Sequence, residues 1–165
     1  MLTPIPDQLG LAALAQVLFA SPVQPSQHPS REAIRAAVVE QLRACQGDPA
    51  ACVRLVAQEA GDHPELCAAR MRWARRSVAR AAREDQADLE RLAAELRQRG
   101  LRAKLCTSAG KLPYLHVRNP ETRALSKRVY AQADSFWCSW TERIAGCDDT
   151  RAAAAMLSRA LVDYT

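Results

Sequence analysis

From Pro64 to Arg99 no residue breaks a helix, and from Gly100 onward the apolar residues change from a spacing of about 3.6 to a spacing of about 2. A chain that changes period in this way must place helices first and a sheet second. Leu101, Ala103 and Leu105 alternate with Arg102 and Lys104, Ser108-Ala109-Gly110-Lys111 reads as a turn, and Leu112 to Arg118 reads as a second strand. Asn119-Pro120 interrupts the pairing. Further strands are predicted over Lys127 to Gln132 and Phe136 to Arg143, and Asp148 or Asp149 is placed to cap a last helix with Ala153, Leu157 and Leu161 on one face. The predicted class is α+β: a helical, helix-turn-helix-like module followed by an α-β-β-β-β-α unit, its antiparallel sheet covered by helices on one side.

The first half divides at its turn residues. Met1 to Asp7 carries two prolines, Leu9 to Phe19 has helical spacing, and Ser21 to Pro29 has no apolar period and reads as an extended linker. Ser30 caps a helix whose face is Ile34, Val38, Leu42 and Cys45, and Gly47-Asp48-Pro49 supplies a stop, a cap and a first-turn proline for a short helix from Ala50 to Ala60. At Glu84 the charge reverses, with Glu84, Asp85, Asp88 and Glu90 following a block of arginines. The expected organisation is an N-terminal helix and linker over 1–29, a helical module over 30–83 and a sheet module over 84–165.

Within the helical module, Ala57 allows a close helix approach, Gly61 can take the left-handed conformation that ends a helix, and Asp62 with Glu65 forms a D-x-x-E start signal. These are the local signals of a helix-turn-helix. The pattern departs from the usual one where Asp62 and His63, rather than an apolar residue, follow the glycine. On the helix beyond, Cys67, Met71, Ala74, Val78 and Ala82 share one side while Arg72, Arg76, Arg80 and Arg83 share the other, and no acidic residue lies between Arg70 and Arg83. Arginine presents a planar fork of donors suited to phosphate, so Arg70, Arg72, Trp73, Arg75, Arg76, Arg80 and Arg83 are the candidate nucleic-acid contacts. The same pattern also fits a solvated helix face, or a face that meets an acidic partner protein.

The chain has 165 residues, 48% of them hydrophobic and 25% charged, and a formal net charge of +5, which suits a globular protein with an anionic partner. Lysine occurs only at Lys104, Lys111 and Lys127; arginine carries the rest of the positive charge, as in translation from a high-GC genome. Of the six cysteines, several, among them Cys45, Cys67 and Cys138, occupy positions suited to small apolar residues, and all are read as reduced; Leu9 to Ala20 is broken by Gln16 and preceded by Asp7, unlike a secretion signal. The expected location is cytoplasmic, without membrane contact. Cys45, Cys52, His63 and Cys67 lack the spacing of a known zinc site, and no nucleophile, P-loop, metalloprotease or dinucleotide pattern is present. His116 stands alone on a strand. The expectation is therefore no enzyme, no cofactor and no metal. Tyr114, Tyr130, Trp137 and Trp140 are the candidate partner-binding residues, an aromatic sheet surface suited to a protein, a peptide or a base.

The run Gly100-Leu101-Arg102-Ala103-Lys104-Leu105, with Gly110 to Pro120, Val129-Tyr130 and Phe136 to Ile144, resembles a family of small actinobacterial proteins without assigned activity. Gln24-Pro25-Ser26 through Arg70-Met71-Arg72-Trp73 is also similar to actinobacterial sequences. The resemblance implies a cytoplasmic accessory or regulatory role and brings no catalytic residues. This chain is shorter than that family's pattern between Tyr130 and Trp137. The combined reading is a non-enzymatic bacterial regulator that binds nucleic acid through its arginine helix and a partner, or a second copy of itself, through its sheet. The alternative is a protein-interaction adaptor that does not touch DNA.

Overall fold

A computed structural model describes residues 9–122, 125–132, 134–138 and 142–162. The chain forms two compact units, 1–82 and 83–165. The class is α+β, and one long helix contributes residues to both units.

The first unit is helical. It contains α1 (Leu11–Ala20), a 3₁₀ turn (Pro25–Gln27), α2 (Arg31–Ala44), α3 (Pro49–Asp62) and the start of α4 (Pro64–Gln98). Ser30 caps α2 by accepting from the Ala33 amide at 3.2 Å, and Asp48 caps α3 by accepting from the Ala50 amide at 2.9 Å, with Pro49 in the first turn where no amide proton is needed. Leu14, Ala15, Val17 and Leu18 of α1 are fully buried, and Ile34 and Val38 of α2 and Ala74, Val78 and Ala81 of α4 are buried with them. The N-terminal helix is thus part of the helical core. The expected linker is also structured, since Gln24 and Gln27 cap its 3₁₀ turn reciprocally.

The corner between α3 and α4 differs from the expected turn. Gly61 lies inside α3 without a positive φ, and Asp62 is the helix's last residue instead of the cap of the next. His63 alone joins the two helices, with φ −140° and ψ 71°. Pro64 accounts for this, because its ring forces the preceding residue out of the helical region while itself suiting the first position of a helix. A one-residue joint is shorter than the three to four residues, roughly, of a helix-turn-helix.

The second unit contains the rest of α4, strands β1 (Arg102–Cys106), β2 (Tyr114–Arg118), β3 (Ser126–Gln132), β4 (Ser135–Cys138) and β5 (Glu142–Gly146), then α5 (Thr150–Val162). The strands form one antiparallel sheet in chain order. Five strands replace the four expected because Phe136 to Arg143 is not one strand: Trp137 pairs with Arg143 and Cys138 with Glu142, so the run folds back on itself. One sheet face carries Ala103, Leu115, Val117, Val129, Ala131 and Phe136 into a core shared with Leu89, Leu92 and Leu96 of α4 and Leu157 and Leu161 of α5. Asp149 accepts from the Ala152 amide at 2.9 Å at the start of α5. Gly100, with φ +81°, ends α4 in the left-handed conformation and turns the chain into β1.

Candidate nucleic-acid interface

Burial on α4 follows the helical period. Ala74, Ser77, Val78, Ala81 and Ala82 are buried, while Arg72, Arg75, Arg76, Arg80 and Arg83 are exposed on the opposite side. At about 100° per residue these five arginines fan over roughly 140° of arc around Ala79. Among the described residues, Arg72, Arg75, Arg76 and Arg83 have no ion-pair partner. The helix therefore presents several unneutralised guanidinium groups over three turns, where the positive potential of each reinforces the next.

Three of the candidate residues have other tasks. Arg70 donates from Nε to the Phe19 carbonyl at 2.7 Å and from Nη2 to the carbonyls of Ser21 at 2.6 Å and Val23 at 3.1 Å. Its guanidinium also lies over the Phe19 ring at 5.6 Å and the Trp73 ring at 5.4 Å. Burial lowers the Arg70 pKa from its ordinary value, with a smaller opposing effect from Glu59. Arg80 donates to the Pro29 carbonyl at 2.7 Å. The segment from Ser21 to Pro29 has few ladder partners for its carbonyl groups, and these two arginines supply donors for them. Arg70 is thus a clamp on the end of α1, and half-buried Trp73 is stacked against that clamp instead of standing clear on the arginine face.

On the sheet, Tyr114, Tyr130 and Trp137 come together. They occupy one row on the face opposite the core, Tyr114 and Tyr130 with ring centroids 5.7 Å apart and Trp137 paired with Tyr130 in register. Tyr130 is only 4% exposed, whereas Tyr114 and Trp137 are half-buried. A hydrogen bond with the Cys106 thiol raises the Tyr114 pKa, and the Trp137 indole donates to the Gln132 carbonyl at 3.1 Å. Trp140 lies outside the described residues.

The same face carries a set of basic side chains that the aromatic reading missed. Arg102 is directly opposite Arg118, and Lys104, His116 and Arg128 stand side by side across β1, β2 and β3. The Arg128 guanidinium lies over the Tyr114 ring at 5.3 Å. A cleft of about 470 Å³ opens at this end of the sheet, walled by Arg97, Arg102, Lys104, His116 and Arg118. Arg97 is anchored there, donating to the Ala103 carbonyl from both Nε and Nη2 at 3.1 and 2.8 Å. The signal was present in the strand alternation, where Arg102 and Lys104, then His116 and Arg118, fall on the side opposite the apolar residues.

The cysteine and histidine quartet does not converge. Among the described residues no three His, Cys, Asp or Glu side chains could hold a metal ion together. Cys45, at the end of α2, and Cys52, in α3, have their sulfur atoms 2.8 Å apart, while Cys67 points its thiol at the Val56 carbonyl at 4.0 Å. None of the six cysteines is joined in a disulfide. Burial, reinforced by the adjacent Cys45 thiol, pushes the Cys52 pKa up to about 12.

No protein-family model, curated protein or solved structure matches the chain. Among the described residues no helix is long and apolar enough to cross a membrane.

Proposed function

We propose that this protein is a non-enzymatic, cytoplasmic regulator that binds nucleic acid through the arginine face of α4. The observation that carries this reading is the exposure of Arg72, Arg75, Arg76 and Arg83 along one side of an unbroken helix, opposite its buried residues and without acidic partners among the described residues. Guanidinium groups in such a row meet successive phosphates, and their affinity derives mainly from counterion release. The one-residue joint at His63 does not support base reading by a helix-turn-helix, so the proposed contact is with the phosphate backbone and is independent of sequence.

The test is the triple variant Arg72→Ala/Arg75→Ala/Arg76→Ala, which leaves the Arg70 and Arg80 anchors in place. Wild type should be retained on random duplex at low salt, and the variant should elute earlier with an unchanged circular dichroism spectrum. The slope of log affinity against log salt should become shallower by about 0.9 for each phosphate that the variant no longer neutralises. Equal elution of the two proteins would remove the proposal.

A second reading, an adaptor for another protein, is favoured by the corner of α3 and α4. Val53 is 39% exposed and Leu55 44% on α3, and Leu66 is 72% exposed in the first turn of α4, so the two helices leave three aliphatic side chains in solvent. A co-purifying protein that disappears on Leu55→Ser/Leu66→Ser, with no retention on duplex by the wild type, would favour that reading over the first.

A further inference from the structure

We infer that the outer face of the five-stranded sheet is a binding site for single-stranded nucleic acid, separate from the duplex-binding face proposed on α4. One arrangement on this face destabilises the folded chain. Like charges directly opposite each other on adjacent strands repel, yet this face sets Arg102 against Arg118, and one row away Lys104 and Arg128 flank His116. Every described residue of the face that carries a formal charge is a cation. The acidic Glu142 pairs in register with inward-facing Cys138 and lies 3.8 Å from Lys127, on the other side of the sheet. A polyanion would relieve this repulsion, and a neutral or basic partner would not.

The aromatic row narrows the polyanion to one with flat bases. Tyr114 and Trp137 are half-buried beside the cations, on either side of buried Tyr130, and Arg128 already lies over the Tyr114 ring at 5.3 Å. Successive rows on one sheet face are two residues apart, about 7 Å along the strand, which is close to the spacing between a base stacked on one row and the phosphates that flank it. The Tyr114 and Trp137 row would hold bases, and the Lys104 and Arg128 row with the Arg102 and Arg118 row beyond it would hold phosphates. A duplex keeps its bases inside the stack and cannot use the aromatic row, so the face prefers single strands. The cleft of about 470 Å³ between Lys104 and Arg118 gives one phosphate and its sugar a recessed seat.

The experiment measures fluorescence anisotropy of labelled oligothymidylate and oligouridylate of about a dozen nucleotides, a length within single-strand site sizes, against a random duplex and against polyglutamate. Three proteins are compared: wild type, Lys104→Ala/Arg118→Ala/Arg128→Ala, and the α4 variant Arg72→Ala/Arg75→Ala/Arg76→Ala. The sheet variant should bind the single strands on the order of tenfold to a hundredfold more weakly, with a salt slope lower by about 2, and should bind duplex as wild type does. It should melt no lower than wild type, because the substitutions remove like-charge repulsion. The single-residue variant Arg118→Ala, at the exposed end of β2, gives the same direction of change if the triple variant misfolds. Single-strand binding that is unchanged by the sheet substitutions, or polyglutamate binding as tight as that of the oligonucleotides, overturns the inference. Single-strand binding without duplex binding would leave this inference standing and remove the α4 reading; the reverse would do the opposite.

Discussion

The two units hold themselves together by different means. The second buries a continuous apolar cluster drawn from α4, every strand and α5, with Phe136, Leu89, Leu92, Leu96 and Leu115 fully enclosed. The first is uneven: α1 contributes Leu14, Ala15, Val17, Leu18 and Phe19 to the interior, but α3 contributes only Cys52. What apolar burial leaves undone there is completed by arginine side chains that bond to loop carbonyls. The contrast teaches that one chain can stabilise a sheet unit through non-directional packing and a helical unit through a few directional polar contacts.

The largest expected effect tests the first half of this contrast. Phe136→Ala removes the largest of the fully buried side chains among the described residues and should destabilise the second unit by about 3 to 5 kcal/mol. Hydrogen exchange should quicken at the strand amides while the amides of Leu14 and Leu18 keep their protection. Equal loss of protection in both units would show that the two cores stand or fall together.

A smaller effect tests the polar half. Arg70→Met retains bulk but leaves the carbonyls of Phe19, Ser21 and Val23 without their shared donor, a loss of about 1 to 3 kcal/mol. Arg70→Lys should recover less than half of it, because an ammonium group cannot span three carbonyls as the guanidinium fork does. Chemical denaturation followed through Trp73, whose ring lies 5.4 Å from the guanidinium carbon, reports the change directly. A chemical denaturation curve unchanged by Arg70→Met would leave the first unit to its apolar core alone.

These two units were not equally legible in the sequence. The core of the second followed from alternation, since Ala103, Leu115, Val117 and Val129 point inward as their period requires. What escaped was the division of Phe136 to Arg143 into β4 and β5, because no glycine or proline marks the reversal. In the first unit the caps at Ser30 and Asp48 were readable, since their bonds are local. The clamp of Arg70 on Phe19 was not: the partners are 51 residues apart, and all the arginines of the block look alike in one dimension. The exposed arginines of α4 were visible as a helical stripe, whereas the cations of the sheet became a surface only when the strand register was known.

A third prediction depends on pH. The folded-state pKa of Cys52 is raised from 9.0 to about 12, so its neutral thiol is favoured by folding. Its contribution to stability is complete below pH 9.0 and is lost as pH rises from there toward about 12, because the unfolded chain releases the proton first. The first unit should lose melting temperature over that window more steeply in wild type than in Cys52→Ala. Parallel curves for the two proteins would mean that the thiol titrates alike in both states.

The smallest effects concern how each end of α4 is turned. At its start the corner is made by His63 and Pro64, leaving Gly61 in ordinary helical conformation with nothing within 4 Å of the position a Cβ would take. At its end the chain relies on Gly100 at φ +81°, where any other residue is strained although the space is open. Gly61→Ala should therefore stabilise the first unit by about 0.5 kcal/mol or slightly more, by lowering the entropy of the unfolded chain. Gly100→Ala should destabilise the second unit by about 1 kcal/mol for its left-handed backbone. The two substitutions are chemically identical, so opposite signs in urea denaturation isolate backbone conformation as the cause. If Gly61→Ala proved destabilising, the left-handed turn expected at that residue would be restored, and with it the case for a recognition helix beginning at Pro64.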